Sequence, residues 1–249
     1  VPSSRIRSSR TTTAPNGPPR PDRAFSTASS IARSMYGFFI IRLPPAPRFQ
    51  YMIQLMNKYI AELIGTFALA LAVGLSIAGK FVVPTPVVAA LTLGVCVYTL
   101  GAISGTHINP AITIGLAAIG KISPKDAGGY LVAQFAGGGL AMVACRTLAG
   151  APAVTAVDSV AVFIAEALGA FWLAIGVAAV VHDKAPGAAA GLTIGGSLLV
   201  GITMAASSGS NGVVNPAVAL GIGSFSLSYV LAPPVGALLA MFLYKLLAK

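Results

Sequence analysis

The chain has 249 residues, 56% hydrophobic and 9% charged, with a mean hydropathy of +0.85; against the roughly 25% charge of soluble domains, this excludes a soluble globular protein and indicates a membrane protein. The formal charge of +10 does not indicate a nucleic-acid partner, because eight of the sixteen basic residues are arginines in the first fifty positions. The remainder is close to neutral and shows no basic, aromatic-lined face.

Residues 1–50 form a basic arm rich in Pro, Ser and Arg. Its first thirty positions are poor in acids and lack a long apolar core, which argues against a secretory signal; they read either as an organellar transit segment or as a solvated tail. Val1 in place of Met reads as a processed or partial start. The run YGFFIIRLPP (36–45) is broken by Arg42 and Pro44 and is too short to span, so it suits an interface or a docking contact.

Residues 51–249 form the second region. Six apolar runs reach spanning length, at about 59–79, 85–103, 126–148, 159–181, 188–207 and 225–246. Two shorter apolar pieces, about 109–119 and 215–223, lie between spans two and three and between spans five and six. With six spans both termini share one side, which carries Lys58, Lys121, Lys125, Lys184, Lys245 and Lys249 against Lys80 and Arg146 opposite. That asymmetry orients the termini toward the cytosol, or toward the matrix or stroma of an organelle. Cys96 and Cys145 sit in apolar runs without metal-site or redox spacing and read as buried core thiols.

The chain also repeats itself. Ala-Glu-Leu-Ile-Gly at 61–65 returns as Ala-Glu-Ala-Leu-Gly at 165–169, and Asn109-Pro110-Ala111 returns as Asn215-Pro216-Ala217. Each half, about 58–150 and 158–249, thus holds three spans and one half-span. An odd number of spans inserts the second half upside down, with the site expected near the midplane between the repeats. Asn is a favoured N-cap and Pro suits the first helical position, so each triplet starts a helix at mid-membrane. The segments before the triplets, SGTHI and SSGSNGVV, must supply non-helical backbone at that depth, which is tolerated only where protein buries it or water bathes it. Two helix N-termini meeting there give positive potential, and the Asn109 and Asn215 amides can donate to a passing oxygen.

Glu62 and Glu166 are intramembrane carboxylates, which need partners; they are expected to accept from the backbone N–H groups of the re-entrant segments. His107 is expected to be a structural member of its loop. No metal-ligand cluster, phosphate loop or nucleophile–base pairing is visible, so neither an enzyme nor a bound cofactor or metal is expected.

These residues resemble the major intrinsic protein family, the aquaporins and aquaglyceroporins. The resemblance covers about 58–246 and rests on AELIGT, GAISGTHINPAITIG, YLVAQFAGG, AEALGAF and NGVVNPAVALG. It implies an all-α membrane fold, a right-handed bundle of six transmembrane helices plus two re-entrant half-helices in an inverted repeat. It also implies one pore per protomer, a homotetramer, and passive flow of water or small neutral solutes such as glycerol, urea, ammonia or peroxide. By position, Asn109 and Asn215 match the family's pore asparagines and Gln134 its third-helix glutamine. Counting from the triplets places the selectivity filter at Ala89, Thr203, Gly212 and Val218. Most members carry Arg where this chain has Val218, and the Arg-Asp pair that follows the second triplet in glycerol facilitators is absent. The ring implied is small-sided and uncharged, with a wider constriction and a weaker cation barrier. A reading of a different class is a structural or accessory subunit of a larger membrane complex, reached through the basic arm.

Overall fold

The computed structural model describes residues 47–151 and 154–249, with side chains from residue 56 onward. The expectations for the arm up to residue 46, including the transit-like segment and YGFFIIRLPP, lie outside the described residues.

Eight α-helices are present among the described residues: α1 (Pro47–Ile77), α2 (Thr85–Ser104), α3 (Pro110–Ala118), α4 (Pro124–Ala149), α5 (Val160–Val181), α6 (Ala190–Ser207, preceded by a 3-10 turn at Gly187–Ala189), α7 (Pro216–Ile222) and α8 (Leu227–Leu247). Six are long and apolar enough to cross a membrane, whereas α3 and α7 are half that length or less. α1 begins well before residue 59, where the apolar run starts. Hydropathy marks only the membrane stretch, Met56–Ile77, while the helix extends through the more polar residues ahead of it.

Local chemistry sets the helix starts. Ser123 Oγ accepts from Asp126 N at 3.1 Å with Pro124 next in the chain, and Ser159 Oγ accepts from Val162 N at 3.1 Å. α2 stops at Gly105, whose φ of 82° is the left-handed turn that releases the chain into the re-entrant segment.

In a membrane, helices associate through close packing, and small residues let backbones approach. A Cβ on Gly169 of α5 would lie 2.7 Å from the carbonyl oxygen of Gly201 on α6. One on Gly195 of α6 would lie 2.5 Å from that of Ala90 on α2, and one on Gly137 of α4 would lie 2.5 Å from that of Leu63 on α1. The half-helices are clamped across the repeat: α3 packs on α4 and α8, α7 packs on α8 and α4, and α3 also meets α7. This clamping brings the two Asn-Pro-Ala triplets together in the core.

Candidate functional site

Each re-entrant segment bends through left-handed backbone at matching positions. Thr106 (φ 50°) matches Gly212 (φ 64°), and Ile108 (φ 38°) matches Val214 (φ 49°). For β-branched residues this conformation is strained and persists only where the surroundings impose it.

The buried carboxylates impose it. Glu62, with no solvent exposure, accepts from His107 N at 2.9 Å, Ile108 N at 2.6 Å and Ser104 Oγ at 2.7 Å. Glu166, equally buried, accepts from Val213 N at 2.9 Å, Val214 N at 2.6 Å and Ser210 Oγ. Both serines in turn accept a backbone N–H, from Thr106 and Gly212 respectively, each at 3.0 Å. Gln134 adds to the first half alone, donating from Nε2 to Glu62 Oε2 and to Thr113 Oγ1, both at 2.8 Å.

At the triplets, Asn109 Oδ1 accepts from Ala111 N at 2.9 Å, and Asn215 Oδ1 accepts from Ala217 N at 3.0 Å and Val218 N at 3.3 Å. Each asparagine therefore caps its own half-helix. One N–H of each amide goes to the opposite loop, Asn109 to Val214 O and Asn215 to Ile108 O. An NH2 group has two hydrogens, so one donor per asparagine remains for a solute.

Two cavities flank this junction, of about 230 Å³ and 520 Å³. Asn109 and Asn215 line the first, and both cavities share Thr106, His107, Ile112, Val177 and Ile194. Together they run from an end bearing Thr85 and Asn211 to an end bearing Lys121 and Val181. Among the described residues, no protein group donates to the carbonyls of Thr106, His107, Asn211, Gly212 or Val213. These carbonyls are left able to accept from a solute, in segments that share the cavity lining with apolar residues such as Leu69, Leu93 and Leu198.

Of the four filter positions reached by counting, Ala89, Gly212 and Val218 line the first cavity. Thr203 does not, and that expectation is corrected. Thr203 is exposed on the outer face of α6, with its hydroxyl donating to Leu199 O at 2.7 Å. α6 instead contributes Ile202 and Ala206 to the lining. A one-residue error in ungapped counting turns a helical position by about 100°, enough to move it from lumen to outer surface. His107, expected as a structural member of its loop rather than a gate, lines both cavities.

Beside the Asn211 end, Asp158 Oδ1 accepts from Ser226 Oγ at 2.7 Å and Ser228 N at 2.8 Å and caps α8; hydrogen bonds from Ser228 hold its carboxyl below the usual carboxylate range. At the lysine end, His182 stacks on Tyr244, and burial, reinforced by Lys121 and Lys245, lowers its pKa. Lys121 Nζ donates to Val181 O at 2.6 Å. Among the described residues no group of three or more His, Cys, Asp or Glu side chains is placed to hold a metal ion.

Residue-type reasoning passed over Ser104, Ser210, Thr113, Tyr130 and Ile202. Ser104 and Ser210 carried a usable signal, since they stand at the same spacing as the two triplets. The others depend on packing between helices distant in sequence.

The profile of the family described as Major intrinsic protein matches residues 50–244. The chain is 33% identical to Aquaporin NIP1-3 of Oryza sativa subsp. japonica, over 79% of this chain and 76% of that protein. It is also 33% identical to Glycerol uptake facilitator protein-like 6 of Lactiplantibacillus plantarum, over 78% of this chain and 99% of the relative. The X-ray structure of the aquaglyceroporin from Plasmodium falciparum superposes with a TM-score of 0.60 at 19% identity, covering 77% of this chain and 96% of that one. That last likeness speaks to the fold alone.

Proposed function

The chain belongs to the major intrinsic protein family, and from that premise we propose that it conducts water together with larger neutral solutes through the path between its two Asn-Pro-Ala triplets. It is an integral multi-pass membrane protein of a family of channels for water or small solutes. The finer reading is supported by one observation: Ala89, Ile202, Gly212 and Val218, which line the first cavity, carry no charged or hydrogen-bonding side chain. Asn211 stands nearby, but its Nδ2 is spent on Thr155 O at 3.1 Å and Ser224 Oγ at 2.9 Å. A constriction without a cationic side chain neither narrows the lumen nor supplies a fixed charge, so solute range widens and cation exclusion falls to the two half-helix N-termini.

The relatives' names, an aquaporin and a glycerol uptake facilitator, are consistent with water, glycerol, urea, ammonia and peroxide as candidates. We further propose a homotetramer with one path per protomer, and termini on the side that carries Lys58, Lys121 and Lys245. Stopped-flow light scattering on proteoliposomes tests the reading, comparing water, glycerol and urea in wild type and Val218→Arg. Wild type should equilibrate faster than protein-free vesicles, and the Arg variant should retain water while losing the larger solutes. Vesicles no faster than controls would sink the channel; an unchanged solute range would remove Val218 from the constriction.

A further inference from the structure

We infer that the link between α1 and α2, residues 80–84, is a membrane anchor: Phe81, Val82 and Val83 insert into the headgroup layer of the leaflet at the Asn211 end of the path, and Lys80 meets the lipid phosphates. The occupant of this surface is phospholipid. The inference rests on the membrane-spanning fold alone and is independent of what the path conducts.

The chain turns sharply where α1 ends. Gly79 stands in the left-handed region at φ 72°, and Gly79 N and Lys80 N close the last turn on Ser76 O and Leu75 O, each at 3.0 Å. Ser76 Oγ meets Thr85 Oγ1 at 2.9 Å, which ties the end of α1 to the first residue of α2. What projects from this fixed base is the finger Lys80-Phe81-Val82-Val83-Pro84, exposed at every position. Val82 is 104% exposed, so the protomer covers none of it, and Phe81 and Val83 are 43% and 46% exposed.

Depth follows from length. The apolar stretches Met56–Ile77 and Thr85–Ser104 hold 22 and 20 residues, about 30 Å of helix at 1.5 Å per residue, which matches the hydrocarbon core. Their joined ends therefore lie at its edge. A finger of this length that leaves and returns reaches about 8 Å at most, and the headgroup layer is about 5–8 Å thick. The tip thus ends among headgroups rather than in bulk water. A polar link would suit that depth equally, and the link from α5 to α6 at the opposite end is one, with His182, Asp183 and Lys184. Here the tip carries one aromatic and two aliphatic side chains, whose burial at the boundary with the acyl chains removes apolar surface from water. Lys80 has a long apolar stem to lay along that boundary while its ammonium reaches a phosphate. The surface continues into Leu91 and Val95, exposed apolar side chains of the spanning helix α2. Ile77, Thr85 and Pro86 at the base of the finger line the first cavity, so the anchor stands beside the path.

The protein has one tryptophan, Trp172, which allows a reporter to be placed without ambiguity. Full-length Trp172→Phe protein carrying Val82→Trp is reconstituted into phosphatidylcholine nanodiscs, where both membrane faces are open to solution. A second protein carries Phe81→Trp in the same background; both positions are exposed, so neither change disturbs the core, and each decides if the other fails to reconstitute. The introduced indole should emit at shorter wavelength than indole in water, lose most of its emission when the acyl chains are brominated, and resist quenching by aqueous iodide. Water-like emission that iodide quenches and bromine does not would overturn the anchor. Protection from both quenchers would overturn it too, because that is the result of a second copy of the chain packed over the finger.

Discussion

Asn109 and Asn215 hold each other's loops: Asn109 Nδ2 donates to Val214 O at 3.0 Å, and Asn215 Nδ2 donates to Ile108 O at 2.9 Å. Each accepting carbonyl belongs to the residue just before the other asparagine, so neither triplet is positioned without its counterpart. Asn109→Asp keeps the capping oxygen but sets an acceptor against Val214 O. Leaving that buried carbonyl opposed is expected to cost about 1–3 kcal/mol, and thermal unfolding in detergent should shift down by several degrees. The same variant puts a negative charge at the junction, so a cation current should appear in proteoliposomes. Unchanged stability would show that the reciprocal bonds contribute nothing.

The two carboxylates are expected to differ in sensitivity. Glu166→Gln leaves one acceptor oxygen for the N–H groups of Val213 and Val214 and turns an NH2 toward the rest, a loss of about 1–3 kcal/mol for an unsatisfied buried donor. Glu62→Gln adds a second conflict, because Gln134 Nε2 also points at that site. Folded yield and denaturation midpoints should therefore rank wild type above Glu166→Gln above Glu62→Gln. Equal behaviour of the two variants would mean that Gln134 is not coupled to Glu62.

Two glycines make a paired test of helix packing. Gly169→Ala drives a methyl toward the Gly201 carbonyl and Val214 and is expected to destabilise by about 1–3 kcal/mol. Gly139→Ala, in α4, meets nothing within 4 Å and should stabilise by about 0.5–1 kcal/mol through helix propensity. Thermal melts of the two variants should move in opposite directions.

His182 sets a pH dependence at the lysine end. Its pKa lies below the usual 6.5, through burial first and then Lys121 and Lys245, with Lys184 acting in the same direction and Asp183 opposing. The unfolded chain then binds more protons than the folded one just below pH 6.5, so stability falls as pH drops through that value. The melting temperature of wild type should decline between pH 6.5 and 5 more steeply than that of His182→Gln. Parallel curves would place the titration elsewhere.

Much of this was legible in the sequence. The six spans, the two half-spans and the inverted repeat follow from run length and from the spacing of Glu62, Glu166 and the triplets, because each reflects a one-dimensional constraint on the chain. The partners of Glu62 could be anticipated in kind, since an intramembrane carboxylate beside an irregular loop needs N–H donors. Thr203 failed because its assignment relied on counting across a loop, where one residue rotates a helical position out of the lumen. The Gln134–Thr113 contact was hidden for another reason: it joins α4 to α3, and only packing reveals which polar atoms meet.

The clamping of each half-helix by the opposite half also bears on how the chain is made. The first half is synthesised before α8 exists, so α3 enters the bilayer without its α8 wall and with its strained loop held only by first-half groups such as Glu62 and Ser104, lacking the Asn215 bond to Ile108 O. Completion of the core must wait for the last helix to arrive, which makes the C-terminal segment the closing piece of the assembly. A chain ending near Ala149 should accordingly expose residues 104–118 to protease, whereas the full-length protein should protect them.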